Sequence, residues 1–347
     1  MGEFDLIARY FQRPAHPLAP EVALGIGDDC ALLHPAPGMQ LAISTDMLVA
    51  GRHFFEDVDP QALGHKALAV NLSDLAACGA RPLAFTLALS LPQADDTWLH
   101  GFSQGLFALA DAHHCSLMGG DTTRGPLNIC ITVFGEVPTP TDRTQALLRS
   151  GAQVDDDIYV SCTLGDARLA LDALLTQRGQ ASYAFAPHLP AAVLASARER
   201  LERPTPRLAL GLALRGLATS AMDLSDGLAG DLPHILQASG LGASVNIDVA
   251  LELIASKHHP AWPEGRFDQV LSQDDLMRCV LSGGDDYELL FTAPPGLRDD
   301  VAQAAAQSHT PVTRIGRIEA QKGLRWVNQR GQAVAVDAAS FDHFRPA

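Results

Sequence analysis

The stretch that most constrains this chain is residues 65–80, HKALAVNLSDLAACGA, which sets a carboxylate where a folded protein rarely keeps one. Pro60 suits the first turn of a helix, Leu63, Ala67, Val70 and Ala77 recur at helical spacing, and Gly79 stands where a left-handed residue would end it. The pattern predicts a buried helix. Asn71, Ser73 and Asp74 nevertheless occupy its middle. An unpaired buried carboxylate costs several kcal/mol or more, so Asp74 must meet a cation, a cluster of donors or a water-filled cleft.

At 347 residues the chain exceeds what one ordinary core organises, which predicts two domains. Hydrophobic residues make up 47% and charged residues 19%, and no stretch reaches the roughly 18 uncharged apolar residues of a membrane span. The opening MGEFDLIARYF carries acids and no apolar core before a small-residue cleavage site, so no signal peptide is expected. Cysteines 30, 78, 115, 130, 162 and 279 form no C-x-x-C pair, and most lie in apolar segments. They read as free thiols in a reducing cytoplasm. A formal net charge of -15 argues against non-specific nucleic-acid binding. Anionic small molecules stay open, because divalent metals can reverse the local sign.

Along the chain, a short amphipathic helix is expected at residues 3–11, and residues 22–33, VALGIGDDCALL, suggest a turn or bulge that aims an acid. Residues 41–44 alternate as a strand and run into Thr45 and Asp46; ligands gather beyond the carboxyl ends of strands in α/β folds. His53, beside two phenylalanines, reads more readily as packing or surface. A strand over 82–91, a helix over 97–113 and a short strand over 115–118 lead to GGDTTR, where paired glycines could expose N–H donors or simply make a turn. A strand follows at 127–137, and a new α/β unit starts near residue 150. In AMDLSDGLAGD, a short strand ends in Asp223, Ser225 and Asp226 before a helix from about Gly227. Helix capping explains Ser225 and Asp226 as well as function does, but leaves Asp223 unexplained. SGGDDYELLF, a strand over 312–318 and a hairpin pattern over 324–336 complete the second half.

Asp29, Asp46, Asp74, Asp121 and Asp223 all lie in or at the ends of apolar elements. Converging carboxylates without cysteine partners suit a hard cation such as Mg²⁺, and neighbouring glycines suit phosphates. Neither GxxxxGK[ST], nor a kinase GxGxxG with HRD, nor a dinucleotide fingerprint in its usual setting occurs, so a nucleotide site would belong to another architecture.

In order, GIGDDCALL, LAISTDMLVAGRHF, KALAVNLSDLAACGARP, GGDTTRG, RSGA, DLSDGLAGDL and SGGDDYELLF closely resemble the thiamine-monophosphate kinase family, and the likeness runs to the closing FDHF. That family sits with aminoimidazole-ribonucleotide synthetase, selenophosphate synthetase and a hydrogenase maturation dehydratase. The resemblance implies a two-domain α/β fold of the α+β type: an N-terminal ATP- and metal-binding domain that dimerises, residues 1–148, and a C-terminal α/β domain, residues 149–347, that completes the site. It implies a homodimer and ATP-dependent phosphorylation of thiamine monophosphate to thiamine diphosphate.

Carried over by residue, the resemblance makes Asp29, Asp46, Asp74, Asp121 and Asp223 ligands of several Mg²⁺ ions, with oxygens from Ser44 and Thr45 and a further ion on Asp226. Gly120, Asp121, Arg149 and Ser225 would contact ATP, and His53, Asp285 and Phe341 would contact thiamine phosphate. The family commonly has Glu at the position of Asp285 and an aromatic such as Tyr at that of Phe341. No general base or nucleophile is expected: the acceptor phosphate monoester has a second pKa near ~6 and is largely deprotonated at neutral pH. Direct in-line transfer assisted by metal ions then suffices. A selenophosphate synthetase would want an N-terminal Cys beside a Lys, and the maturation protein a Cys tail; the first cysteine here is Cys30, and the chain ends in FRPA. A catalytically idle metal- or nucleotide-binding dimer is the rival of another class, against which the complete acid set speaks.

Overall fold

A computed structural model describes residues 2–14, 16–140, 144–263 and 265–336. The chain divides into two units, Met1–Ala146 and Leu147–Ala347. The first contains α1 (Glu3–Tyr10), β1 (Val22–Leu24), β2 (Leu32–Leu33), β3 (Met39–Val49), α2 (Pro60–Ala77), β4 (Arg81–Leu91), α3 (Asp96–Ala112), β5 (Ser116–Arg124) and β6 (Asn128–Pro138).

Four of these strands form a sheet in the order β3-β6-β4-β5. β6 pairs antiparallel with both β3 and β4, whereas β5 runs parallel to β4, the two being joined through α3. Along β3 the residues alternate: Ser44 and Asp46 are half-buried and Leu48 is buried, while Leu41, Ile43 and Met47 on the other face are exposed.

Helix α2 is buried almost all round, as its apolar residues require, with Leu68 and Leu72 wholly enclosed. Asp59 caps its start by accepting from the N–H groups of Gln61 and Ala62, Pro60 fills the first turn, and Gly79 takes φ +64° just beyond its end. Its packing on α3 is backbone to backbone. A Cβ on Gly64 would lie 2.0 Å from the Phe102 carbonyl oxygen, and one on Gly105 would lie 1.8 Å from that of Gln61. Larger residues at either site would drive the helices apart and pull α2 off the sheet.

The second unit contains β7 (Asp157–Ser161), α4 (Asp166–Gln177), α5 (Ala191–Glu202), α6 (Leu208–Ala213), β8 (Ser220–Leu224), α7 (Leu228–Ser239), β9 (Gly242–Asn246), α8 (Ile247–Leu251), α9 (Phe267–Val270), α10 (Gln273–Leu281), β10 (Glu288–Ala293), α11 (Arg298–Gln307), β11 (Val312–Glu319) and β12 (Gly323–Val327). Its sheet has the order β12-β9-β11-β7-β10-β8, antiparallel throughout except for the β12–β9 pair. β7, β8 and β10 are buried along their whole length, so they show no in–out alternation, and the polar residues they carry, Asp157, Asp223 and Glu288 among them, are buried with the apolar ones.

Three local expectations are corrected. Asp46 is not beyond a strand end but inside β3, paired with Ile131, because β6 continues the ladder through all eleven residues of β3. GGDTTR is not a turn: β5 runs through it, held on β4 from Ala84–Ser116 to Leu91–Arg124. The pattern at 324–336 gives one strand, β12, whose ladder partner is β9; the return segment folds back antiparallel through the Val327–Ala333 bridge and the Val334 N–H to Trp326 carbonyl bond without forming a second strand.

Candidate active site

In the first unit, β3 and α2 bring two carboxylates together. Asp46 projects from β3 and Asp74 from α2, each half-buried, and the Ser44 hydroxyl donates to Asp74 Oδ2. Burial, and next the negative charge of Asp74, push the Asp46 carboxyl up to about 6. Asn71, one helical turn before Asp74 and 1% exposed, settles the geometry. Its Oδ1 accepts from the Asp46 backbone N–H at 3.0 Å and its Nδ2 donates to the Ala67 carbonyl at 3.0 Å. Asn71 thus orients the strand that carries the acid. The sequence leaves that role open; the signal for it is the three-residue spacing from Asp74 on one helix face.

The other expected residues of this unit are spread over the loop after β1, the opposite face of the sheet and the turn after β3. Asp29 is exposed in the loop after β1, its N–H donating to Asp28 Oδ1 at 2.8 Å. Thr45 stands on the opposite face of β3, where its hydroxyl meets that of Thr132 at 2.8 Å. Asp121 is exposed and shares a ladder row with Ala88 and Cys130, whereas Asp46 shares one with Ile131 and Leu87, so strand alternation sets Asp121 on the other face. Gly120 has φ +149°, and a Cβ there would lie 1.9 Å from the Leu87 carbonyl oxygen, so only glycine lets β5 approach β4 this closely. His53 lies in the turn after β3, its Nδ1 accepting from the Val49 N–H at 2.9 Å.

In the second unit the end of β8 meets the segment leading into β10. Asp223 is buried in β8 opposite Leu289, and Ser225 and Asp226 follow at the strand end. Asp231, in the first turn of α7 and 2% exposed, accepts from the N–H groups of both Ser225 and Asp226 on a single oxygen, each at 3.0 Å. Burial pushes the Asp231 carboxyl up to about 7; the Asp226 charge adds to the rise, while the two N–H donors and Arg149 oppose it. Arg149, exposed, is therefore near this loop. The Asp285 N–H donates to the Ser225 carbonyl at 3.0 Å and the Tyr287 N–H to the Leu224 carbonyl at 2.8 Å, which zips the two loops together. The structure thus joins Ser225, Asp226 and Asp285. Phe341 lies outside the described residues.

Beneath this loop sit groups that the sequence reading did not single out. Asp286 is buried and accepts from the Gly165 N–H through both oxygens, at 3.0 and 2.9 Å, and burial holds its pKa well above the carboxylate range. Glu288, fully enclosed, accepts from Arg200 at 2.6 Å, from Arg207 at 2.6 and 2.7 Å and from the Ser161 hydroxyl at 2.5 Å. Nothing local in SGGDDYE distinguishes these inward acids from Asp285, because their arginine and amide partners come from distant parts of the chain.

Among the described residues no three His, Cys, Asp or Glu side chains stand close enough together to hold a metal ion. The Asp46–Asp74 pair with Ser44 offers oxygen donors alone. This set fits Mg²⁺, which is commonly bound by one or two carboxylates and completes its shell with waters and substrate phosphates.

Comparison with known proteins follows the two units. Residues 27–137 match the AIR synthase related protein N-terminal domain, and residues 170–327 match the corresponding C-terminal domain. A thiamine-monophosphate kinase of Salmonella typhimurium is 46% identical over 99% of this chain and 98% of its own length. The crystal structure of a thiamine-monophosphate kinase from Stenotrophomonas maltophilia superposes with a TM-score of 0.77 at 45% identity, covering 95% of this chain and 96% of that one. AaThiL, solved in complex with AMPPCP and TMP, gives a TM-score of 0.70 at 26% identity and covers 89% of each chain. By full-length likeness and by both domains, this chain belongs to the thiamine-monophosphate kinase family of AIR synthase related proteins.

Proposed function

We propose that this protein transfers the γ-phosphoryl group of ATP to thiamine monophosphate, giving thiamine diphosphate and ADP. The observation that carries the reading is the Asp46–Asp74 pair, fixed by Asn71 and Ser44, in a chain 46% identical over its length to a thiamine-monophosphate kinase. Two acids held this close, with one carboxyl pushed up to about 6, are a costly arrangement for a purely structural core.

Asp46 and Asp74 would hold Mg²⁺, and the resemblance assigns further positions around the ions to Asp29, Ser44, Thr45, Asp121, Asp223 and Asp226. Bound Mg²⁺ supplies charge neutralisation for two phosphates brought into line. The chain's own contribution is orientation. Ser44 sets the rotation of the Asp74 carboxylate, Asn71 fixes the backbone of Asp46, and Asp231 turns the N–H groups of Ser225 and Asp226 inward. In our reading Gly120, Asp121, Arg149 and Ser225 receive ATP, and His53, Asp285 and Phe341 receive thiamine monophosphate. No residue need act as base, since the acceptor oxygen is already ionised at neutral pH.

We assign residues 1–148 to ATP, metal and dimer contacts and 149–347 to completing the site. The reading as a homodimer is supported by the exposed Leu41, Ile43 and Met47 on one face of β3, an apolar stripe that suits a second copy of the sheet. The six free cysteines suit a reducing cytoplasm, and among the described residues no helix is long and apolar enough to cross a membrane. ADP release measured with thiamine monophosphate, and with free thiamine and an aminoimidazole precursor as controls, tests the function. Turnover of free thiamine alone would overturn it.

A further inference from the structure

The loop that carries Asp28 and Asp29 hangs from a ribbon too short to place it. β1 and β2 contribute three and two residues, with a register shift between Val22 and Leu24, and a two-stranded ribbon of that length is not stable by itself. Val22 joins Leu83, Ala84 and Met118 in a small cluster, with Ala31 and Leu33 against it. On the other flank, Glu21 and Ile26 line a cleft of about 810 Å³ between the N-terminal segment and α3, so close packing does not hold the ribbon there. An ionic clasp closes its base instead, and it takes hold of both strands. Arg81, at the start of β4, donates to Glu21, the residue before β1, and to Glu136 of β6, the latter from Nε at 3.1 Å. The second oxygen of Glu136 accepts from the N–H of Ala36, beyond β2, at 3.2 Å. The Arg81 hydrogen bond lowers the Glu21 carboxyl below its ordinary value, so the clasp is ionic at neutral pH.

Two observations ask for more than a structural tie. Glu21 Oε2 is shut away from solvent with no hydrogen-bond partner among the described residues, an arrangement that costs free energy. The loop that the clasp holds is also led to one place on β5. A Cβ on Gly25 would lie 3.8 Å from the Met118 carbonyl oxygen, and one on Gly119 would lie 3.9 Å from the Ala31 Cβ, so the loop begins and ends against the residues just before Gly120 and Asp121. We propose that Glu21, clasped by Arg81 and Glu136, is a positioning residue that sets the loop of Asp28 and Asp29 against β5 and thereby raises the affinity of the protein for divalent cations. The inference rests on the reading of Asp29 as a metal ligand. Glu21 itself touches neither ion nor substrate; it acts through where Asp29 stands.

The test uses the full-length protein with Mn²⁺ alone as the probe, its binding followed by electron paramagnetic resonance. Glu21→Ala frees the β1 end of the clasp and leaves the buried Arg81–Glu136 pair in place. It should weaken Mn²⁺ binding about threefold to tenfold, less than the loss of a partner that touches a metal ligand directly. The Mg²⁺ half-saturation of ADP release should rise by the same factor, and hydrogen exchange at the amides of residues 26–31 should speed up. Glu21→Gln, whose amide oxygen can still accept from Arg81, should fall between Glu21→Ala and the parent. Because Glu21 acts through Asp29, adding Glu21→Ala to Asp29→Asn should weaken Mn²⁺ binding no further. An Mn²⁺ affinity unchanged in Glu21→Ala would overturn the proposal, whatever happens to thermal stability. So would the same loss in both backgrounds, which would mark a general loosening of the unit. Parent protein that binds no Mn²⁺ would overturn the reading of these acids as metal ligands, an outcome distinct from the other two.

Discussion

Replacing Asp46 with asparagine removes one charge from a pair that folding forces together, so the variant should be more stable than the parent while losing its activity. The magnitude follows from the site. A carboxyl raised from 3.8 to about 6 corresponds to about 3 kcal/mol of cost to the ionised folded state. Solvent reaching the half-buried group lowers this to about 1–2 kcal/mol. Because the folded value lies above the unfolded one, the folded protein binds the proton more tightly. The cost is therefore full above about pH 6 and fades as the pH falls towards about 4. Asparagine still carries the backbone N–H that Asn71 accepts, and its amide can donate to Asp74. Urea unfolding in Mg²⁺-free buffer should thus show Asp46→Asn more stable by about 1–2 kcal/mol near pH 7.5, and nearly equal to the parent near pH 4.5. Phosphoryl transfer should drop by a factor of about 100 or more. A variant less stable than the parent at neutral pH, or a difference that does not shrink with acid, would refute the reasoning.

Other perturbations separate support from chemistry. Asn71→Ala leaves the Asp46 N–H without its acceptor, so it should cost about 1–3 kcal/mol in thermal unfolding and speed hydrogen exchange at the Asp46 amide. Glu288→Gln leaves two guanidinium groups beside a neutral amide and should cost about 3–5 kcal/mol in urea unfolding.

Helix α2 was legible in the sequence because its own residues state its limits: Pro60 and Gly79 mark the ends, and apolar residues on nearly every face require burial. β4 and β6 were legible as apolar runs bounded by loops. What could not be read locally was pairing. The course of β3 through Asp46 depends on β6, some ninety residues away, and the course of β5 through two glycines depends on β4. For the same reason the acids divided unevenly. Asp74 announced itself by the cost of its position, and the ordered motifs identified the family. Asp231, Asp286 and Glu288 carry no local signal of their own, since their meaning comes from amides and arginines brought in by the fold.

The strand order β3-β6-β4-β5 also has a consequence for how the protein is made. β6 is the last of the four to leave the ribosome, yet it belongs between β3 and β4, so β3 has no sheet partner and β4 has only β5 until residues 128–138 have been synthesised. Until then β3 carries unpaired N–H and C=O groups together with the apolar Leu41, Ile43 and Met47. A chain cut before Asn128 is therefore expected to aggregate through this unpaired, apolar edge.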